Sequence, residues 1–187
     1  MLASFLRHQL DIPPETIERV LTFYNEEQIA KDDNLLKQGQ YSQKLYFINE
    51  GYVRFYSYSK SKPITHWIFG KGQLVTDIAS FYLNEPAKWN IQALSETSAL
   101  AITLTDYRQL RETIPEWDMY ENRLLAKLMS ALENRVYTFL SMSADERFQY
   151  LFEDDAEMFN KLPLHYISSM LGMTPETLSR IRSKRVS

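Results

Sequence analysis

The chain has 187 residues, of which 44% are hydrophobic and 13% aromatic, and its formal net charge is −3. This length suits one large domain or a medium domain with a small one, and the composition supports a packed core. Cysteine is absent, which excludes disulfides, cysteine-ligated zinc fingers and cysteine-ligated iron–sulfur clusters. No apolar run is long enough for a transmembrane helix, and residues 1–10 lack a secretory signal pattern, so we expect a cytoplasmic protein with no membrane partner.

The N-terminal part of the chain predicts a helix followed by a series of short strands. Residues 12–25 are expected to be helical, because Pro13 and Pro14 open a segment with apolar residues at helical spacing. Short apolar runs between turn residues then follow at 35–37, 44–48, 52–58, 64–69, 90–94 and 99–104. Strands at such regular spacing are typical of a small antiparallel barrel or roll. A short helix is predicted from Asp77 to Leu83, ahead of Pro86.

Aromatic residues are frequent in the predicted strands, and two interpretations of them remain open. They form the core and cross-strand pairs of the roll, or they line a pocket for an aromatic ligand. The residues concerned are Tyr41, Tyr46, Tyr52, Phe55, Tyr56, Tyr58 and Trp67. The three histidines lie far apart without ligand spacing, so no metal site is predicted. No Ser/His/Asp arrangement or carboxylate pair stands out, and we therefore predict that the chain is not an enzyme.

Further helices are predicted after the strands. One starts near Thr105 and runs to about Thr113, a long one extends from Glu116 to about Met142, and Ser143–Glu146 predicts the capped start of a third. In the long helix, alternating steps of three and four residues give a coiled-coil-like seam of Leu125, Leu128, Leu132, Arg135 and Phe139. From periodicity alone, this seam fits a core helix and a dimerisation helix equally well.

The most informative segment is Leu164–Arg182. It predicts two short helices joined by a tight turn at Gly172, held together by the apolar residues Ile167, Leu171, Met173, Leu178 and Ile181. Thr174 and Pro175 are typical of the first residues of a helix. The segment is either a DNA-binding helix-turn-helix or an ordinary helical hairpin with a basic end.

The second helix of this pair carries side chains that suit DNA. The predicted contact residues are Thr174, Glu176, Thr177, Ser179, Arg180, Arg182 and Lys184, with Arg185 as a further cation. A carboxylate can accept from cytosine, a guanidinium can donate to guanine, and the last cations suit phosphates. Because a single helix-turn-helix seldom binds DNA tightly, this motif favours the dimer interpretation of the long helix. The acidic run at 153–157 is expected to be a solvated face.

With this order of elements, the chain resembles the Crp/Fnr family of bacterial transcription regulators over nearly its whole length. The resemblance rests on the glycine-punctuated strands, the segment from Gly72 to Ala93, the helix after Pro115 and the residues Glu176–Arg180. It implies an α+β fold in three parts. These are an antiparallel, jelly-roll-like β-roll of the cyclic-nucleotide-binding type at 1–114, a dimerisation helix at 115–142, and a winged-helix-type helix-turn-helix DNA-binding domain at 143–187.

The chain departs from the family at two sites. Members of the family read bases with an Arg–Glu pair and a later Arg; Glu176 and Arg180 match, but Pro175 replaces the first Arg, so we expect a different preferred DNA sequence. Members that bind cyclic AMP hold the ribose with Glu and the phosphate with an Arg–Ser pair, and the corresponding effector-pocket residues are Asp77, Ala87 and Lys88. Because alanine cannot pair with a phosphate, we expect no cyclic nucleotide cofactor.

Taken together, these residues predict a homodimeric, sequence-specific transcription regulator. The resemblance implies a palindromic double-stranded DNA operator, a second copy of the chain and RNA polymerase as partners, with an unknown small-molecule effector or none. The alternative is a ligand-binding or protein-interaction module that no longer binds DNA. That alternative stays open because little sequence follows Arg185 for the hairpin that often comes after the recognition helix in this family.

Overall fold

Two four-stranded antiparallel sheets face each other in the N-terminal part of the chain, in a computed structural model that describes residues 1–186 and the side chains of residues 1–184. One sheet has the order β1–β8–β3–β6 and the other β2–β7–β4–β5. The strands are β1 (Asn25–Ile29), β2 (Asn34–Leu36), β3 (Lys44–Glu50), β4 (Val53–Ser59), β5 (Lys62–Phe69), β6 (Leu74–Val75), β7 (Asn90–Ala93) and β8 (Thr97–Thr103). The predicted antiparallel roll is thereby confirmed.

Both faces of β3 are buried, and this places the strand at the centre of the fold. Tyr46 and Ile48 lie between the two sheets, in an apolar cluster that includes Val53 and Ile91 of the opposite sheet. Leu45 and Phe47 point the other way and pack against helices, since successive side chains of a strand alternate between faces. The roll therefore has one core inside and another between its outer surface and the helices.

The helices surround the roll and continue beyond it. They are α1 (Leu2–Leu10), α2 (Pro14–Leu21), α3 (Ile78–Leu83), α4 (Leu104–Thr113), α5 (Trp117–Ser141), α6 (Ala144–Asp154), α7 (Met158–Lys161), α8 (Leu164–Met170) and α9 (Pro175–Val186). The predicted helix at 12–25 is shorter in the structure, because Asn25 already pairs with Ala101 in the sheet. The helix expected near Thr105 begins at Leu104, because the hydroxyl of Thr103 accepts from the backbone N–H of Asp106.

The C-terminal helices form a unit that is packed against the roll. Ser143 and Glu146 form the predicted capping box at the start of α6. Gly172 has a φ of +67° and makes the tight turn between α8 and α9. Apolar residues of α6 to α9 share one cluster with Tyr52, Ile68 and Leu94 of the roll. Within residues 144–186 this unit contains helices and connecting turns without strands, so the strands of a wing remain a prediction.

Candidate nucleic-acid interface and effector pocket

Helix α9 buries one face and exposes the other. Thr174 opens the helix by accepting from the backbone N–H of Thr177 at 3.2 Å. Leu178 and Ile181 are 0% and 3% exposed and pack against α6, α7 and α8. On the other side, most of the predicted DNA contacts are exposed to solvent, namely Thr174, Glu176, Ser179, Arg180 and Lys184, while Thr177 is half-buried. The arrangement leaves a polar helix face open at the surface.

Two of the cations predicted to contact phosphate differ in their surroundings. Arg182 is half-buried, and its Nη1 donates to the backbone oxygen of Phe159 at 3.4 Å. Lys184 is exposed and makes no hydrogen bond or ion pair with residues 1–184. Arg185 lies outside the described side chains. Lys184 is therefore free for a phosphate, whereas Arg182 is already held by α7.

Glu176 is charged at neutral pH in the exposed face of α9. Hydrogen bonds from its own backbone N–H and from the hydroxyl of Thr174 lower the pKa of its carboxyl group. The side chain is fully exposed, so this effect organises the first turn of the helix without contributing much to stability. A carboxylate in this state can accept a hydrogen bond from a base.

Helix α5 leaves an apolar stripe exposed, which we call the α5 stripe: Leu125, Met129, Leu132, Val136 and Leu140. Leu125 is half-buried, and the other four are 58%, 52%, 51% and 84% exposed, in that order. Of the residues in the predicted seam, Leu125 and Leu132 belong to this stripe. Leu128 packs against the helix-facing core of the roll. Arg135 and Phe139 turn toward the C-terminal helices, so the exposed stripe is rotated around the helix relative to the predicted seam.

Arg135 joins three parts of the chain. Its Nη2 donates to the backbone oxygen of His66 in β5 at 2.6 Å and to that of Met170 in α8 at 2.8 Å. The guanidinium lies over the rings of Trp67 and Phe139, at 4.7 Å and 4.9 Å from the centroids. Burial lowers the pKa of Arg135 to about 10. In the sequence, the only indication that Arg135 differs from its apolar neighbours in the seam is its positive charge.

The predicted effector-pocket residues are occupied by contacts within the chain. Asp77 is buried; its Oδ1 accepts from the backbone N–H of Ser80 at 3.0 Å and its Oδ2 from that of Lys88 at 2.9 Å. Ala87 lies in the apolar cluster between the sheets, and its own N–H donates to Gln40. Lys88 is exposed. The methyl side chain of Ala87 offers no donor to a phosphate, and both carboxylate oxygens of Asp77 already accept from backbone N–H groups.

The acidic run after α6 is only partly solvated. Asp155 is half-buried, and its Oδ1 accepts from the hydroxyl of Tyr52 at 3.3 Å and from the backbone N–H of Met158 at 2.9 Å. The neighbouring carboxylate raises the pKa of Tyr52, in addition to the larger effect of burial. The expectation of a solvated face was therefore wrong for Asp155, which links the C-terminal unit to the roll.

None of the helices within residues 1–186 combines the length and apolarity that a bilayer-spanning segment requires.

Comparisons with known proteins agree with this architecture. Residues 26–113 match the sequence profile of the cyclic nucleotide-binding domain. No curated protein sequence matches the chain significantly. Among solved structures, FixK2 from Bradyrhizobium japonicum has a TM-score of 0.69 at 18% identity, covering 86% of this chain and 83% of its own.

Two further structures are similar at comparable levels. CLP from Xanthomonas campestris, a c-di-GMP responsive global regulator, has a TM-score of 0.67 at 15% identity over 92% of this chain and 91% of its own. The catabolite activator protein of Thermus thermophilus has a TM-score of 0.60 at 20% identity over 96% of this chain and 85% of its own. Residues 26–113 of this chain are therefore similar to the cyclic nucleotide-binding domain, and the chain as a whole shares the fold of these three solved structures.

Proposed function

We propose that this protein is a homodimeric, sequence-specific DNA-binding transcription regulator of the Crp/Fnr type. The observation that carries the proposal is the open face of α9, on which Glu176, Ser179 and Arg180 are exposed while Leu178 and Ile181 anchor the helix. An exposed helix face with a carboxylate and a guanidinium one turn apart suits base edges in a major groove. The similar fold of CLP, a c-di-GMP responsive global regulator, supports the same function.

The α5 stripe supports the dimer. An apolar stripe of this kind on a monomer marks an interaction surface, and its steps of three and four residues suit a second α5 helix. Two α9 helices related by a two-fold axis would enter successive major grooves about 34 Å apart on a palindromic operator. RNA polymerase remains a further proposed partner, and the cytoplasm the proposed location.

The effector in this proposal is not a cyclic nucleotide. Asp77 already holds the backbone N–H groups of Ser80 and Lys88, and it thereby closes the turn after α3 with a carboxylate of the chain itself. Because Asp77 satisfies these backbone N–H groups, a bound phosphate near Ala87 is not required to hold this turn in place. The protein is therefore expected to be a regulator without enzymatic activity and competent for DNA without cyclic AMP.

A binding selection from random duplex DNA, without added effector, tests the proposal. We expect enrichment of a palindrome with half-sites one helical turn apart. The matched control is the double variant Glu176→Ala, Arg180→Ala, which keeps the buried face of α9 and should lose the enrichment. Failure of the wild-type protein to enrich any sequence would favour the second candidate, a protein-interaction module that uses the exposed α5 stripe.

Replacing Arg180 by alanine is expected to relax the preference at one base pair of each half-site. A bidentate contact from arginine to guanine contributes about 1–3 kcal/mol of discrimination. Arg180 is exposed, so the fold should not change. Competition binding against operators altered at single positions measures the effect. Equal losses of affinity on every sequence would show that Arg180 does not read a base.

Replacing Lys184 by alanine is expected to weaken binding to all sequences alike and to reduce the salt dependence. The slope of log K against log salt should fall by about 0.9 for each phosphate contact that is lost. Arg182→Ala should reduce this slope less, because Arg182 already donates to Phe159. Arg108→Ala, at an exposed position of α4, is the control. An unchanged slope in the Lys184 variant would contradict the assignment.

A further inference from the structure

A cavity lies where the roll, α5 and the C-terminal helices meet, away from Asp77 and Ala87. Its volume is about 1170 Å³. The roll contributes the turns around Gly51 and Gly70, α5 contributes the segment from Ala131 to Phe139, and α6 to α8 close the remaining wall. Ligand pockets typically measure about 300–1,000 Å³, so this cavity has room for a molecule of nucleotide size.

Two arginines in the wall of this cavity have no carboxylate partner. Arg135 and Arg147 both contact the ring of Phe139, at 4.9 Å and 5.1 Å from its centroid. Arg147 donates to the backbone oxygens of Leu171 and Met142. Neither arginine takes part in an ion pair with any other described side chain. This part of the wall is therefore cationic, and its charge is balanced by backbone oxygens alone.

Part of each guanidinium remains available for a ligand. In Arg135 only Nη2 donates to the protein, and the Nε–H and Nη1–H groups have no acceptor among residues 1–186. These groups are also not sealed from solvent. The Nη2 of Arg147 likewise donates to no acceptor among residues 1–186. A half-buried cation with free N–H groups is a strong donor for an oxyanion, because such hydrogen bonds are charge-assisted and can be bidentate.

Five carboxylates also line the cavity; Glu50 and Asp154 have no hydrogen-bond or ion-pair partner among the described residues, and the other three are held by partners other than the arginines. Asp155 accepts from Tyr52 and Met158, Glu157 pairs with Lys161 at 2.8 Å, and Glu96 accepts from the backbone N–H of Lys31. Burial lowers the pKa of Arg135, and no carboxylate of the described side chains forms an ion pair with it. An anion bound at Arg135 would therefore supply the negative charge that no ion pair provides to this arginine.

We propose that this cavity is a second effector site, which binds a small organic oxyanion (a phosphate or a carboxylate) through the free N–H groups of Arg135 and Arg147. Arg135 also holds β5 to α8, so the bound anion would act on the joint between the roll and the helical pair that contains α9. The binding site stands on its own geometry. The effect of the ligand on DNA affinity rests in addition on the proposed function.

Thermal unfolding and calorimetry test the site without DNA. Inorganic phosphate, adenosine 5′-monophosphate and citrate are the probes, and they distinguish the two kinds of oxyanion. We expect at least one of the two organic probes to raise the Tm by about 5–10 °C at about 100 times its dissociation constant. The shift should disappear in Arg135→Gln and Arg147→Gln and persist in Arg108→Gln, whose position on α4 is exposed and outside the cavity.

A cavity-filling variant covers the case in which the arginine variants fail to fold. Ala131→Trp occupies the cavity from an exposed position of α5 and leaves both arginines in place, and it should abolish the shift. No shift with any probe at millimolar concentration, or an equal shift in wild type and Ala131→Trp, would overturn the proposal. A separate experiment measures the affinity for DNA with and without the probe that binds, and it tests whether the site is coupled to DNA binding. A calorimetric signal without a DNA effect would leave the site in place and count against its coupling to DNA.

Discussion

Replacing Leu132 by aspartate is expected to turn a dimer into a monomer at micromolar protein concentration. Leu132 lies in the middle of the α5 stripe and is 52% exposed in the single chain, so the substitution leaves the fold of each protomer intact. In the proposed dimer, two copies of Leu132 lie near the two-fold axis. Aspartate would remove their buried apolar area and place two negative charges close together.

The expected size of this effect is large. Burying a leucine side chain contributes about 1.5–3 kcal/mol, and the interface contains the residue twice. The dimer dissociation constant should therefore rise by about 10²- to 10⁴-fold. Binding to a palindromic operator should weaken as well, because each monomer would contact one half-site. Sedimentation velocity over a concentration series measures the first change, and operator titration measures the second.

Ser130→Asp is the matched control for this experiment. Ser130 is exposed on the same helix, on the side opposite to Leu132, so it adds the same charge outside the stripe. We expect it to stay dimeric with an unchanged unfolding temperature. A wild-type protein that is monomeric throughout the series, or a Leu132→Asp variant that dimerises normally, would show that the α5 stripe is not the dimer interface.

The difference between the predicted seam and the α5 stripe shows what periodicity can and cannot give. The spacing of apolar residues correctly indicates a long helix with an apolar seam. It does not tell which face the chain covers itself. The contacts of Arg135 fix the rotation of α5, because its Nη2 donates to backbone oxygens in β5 and α8. Backbone acceptors of this kind cannot be predicted from residue types in the sequence. Periodicity predicts the element, and long-range backbone contacts decide its rotation.

Elements without an apolar pattern were not predicted. Strand β1 reads Asn-Glu-Glu-Gln-Ile, and it is a strand because it pairs with β8 over residues 97–101. Strand β6 has two residues, too few for any alternation to appear. Helix α1 is an exception, because its buried residues Leu2, Leu6 and Leu10 follow a helical spacing of four residues that is visible in the sequence. Tertiary pairing, rather than local propensity, determines the two strands.

The effector pocket was placed by resemblance, and its chemistry depends on contacts that spacing does not report. The aligned position of Asp77 suggested a hydroxyl contact. In the structure both carboxylate oxygens accept from backbone N–H groups. The replacement of arginine by Ala87 could be read directly from the sequence, whereas the closing of the turn by Asp77 could not. The cavity at Arg135 could not be predicted from the sequence either, because its walls come from segments that are distant in the chain.

Replacing Gly51 by alanine is expected to destabilise the fold by about 2–6 kcal/mol. Gly51 makes the turn between β3 and β4 with a φ of +93°, and a residue with a Cβ there is strained by about 1–3 kcal/mol. An added Cβ would also lie 2.5 Å from the backbone oxygen of Glu96 and closer still to Oγ1 of Thr97. Relieving such overpacking costs about 1–3 kcal/mol more, because a backbone atom has to move.

Gly39→Ala separates the two causes. Gly39 also has a positive φ, of +86°, but an added Cβ there meets no atom within 4 Å. This variant should lose about 1–3 kcal/mol from backbone strain alone. Urea unfolding of both variants at one protein concentration measures the difference, which isolates the contact between the Gly51 turn and the segment at 96–97. Equal losses in the two variants would mean that this turn adjusts freely and that the wall of the Arg135 cavity is softer than its packing indicates.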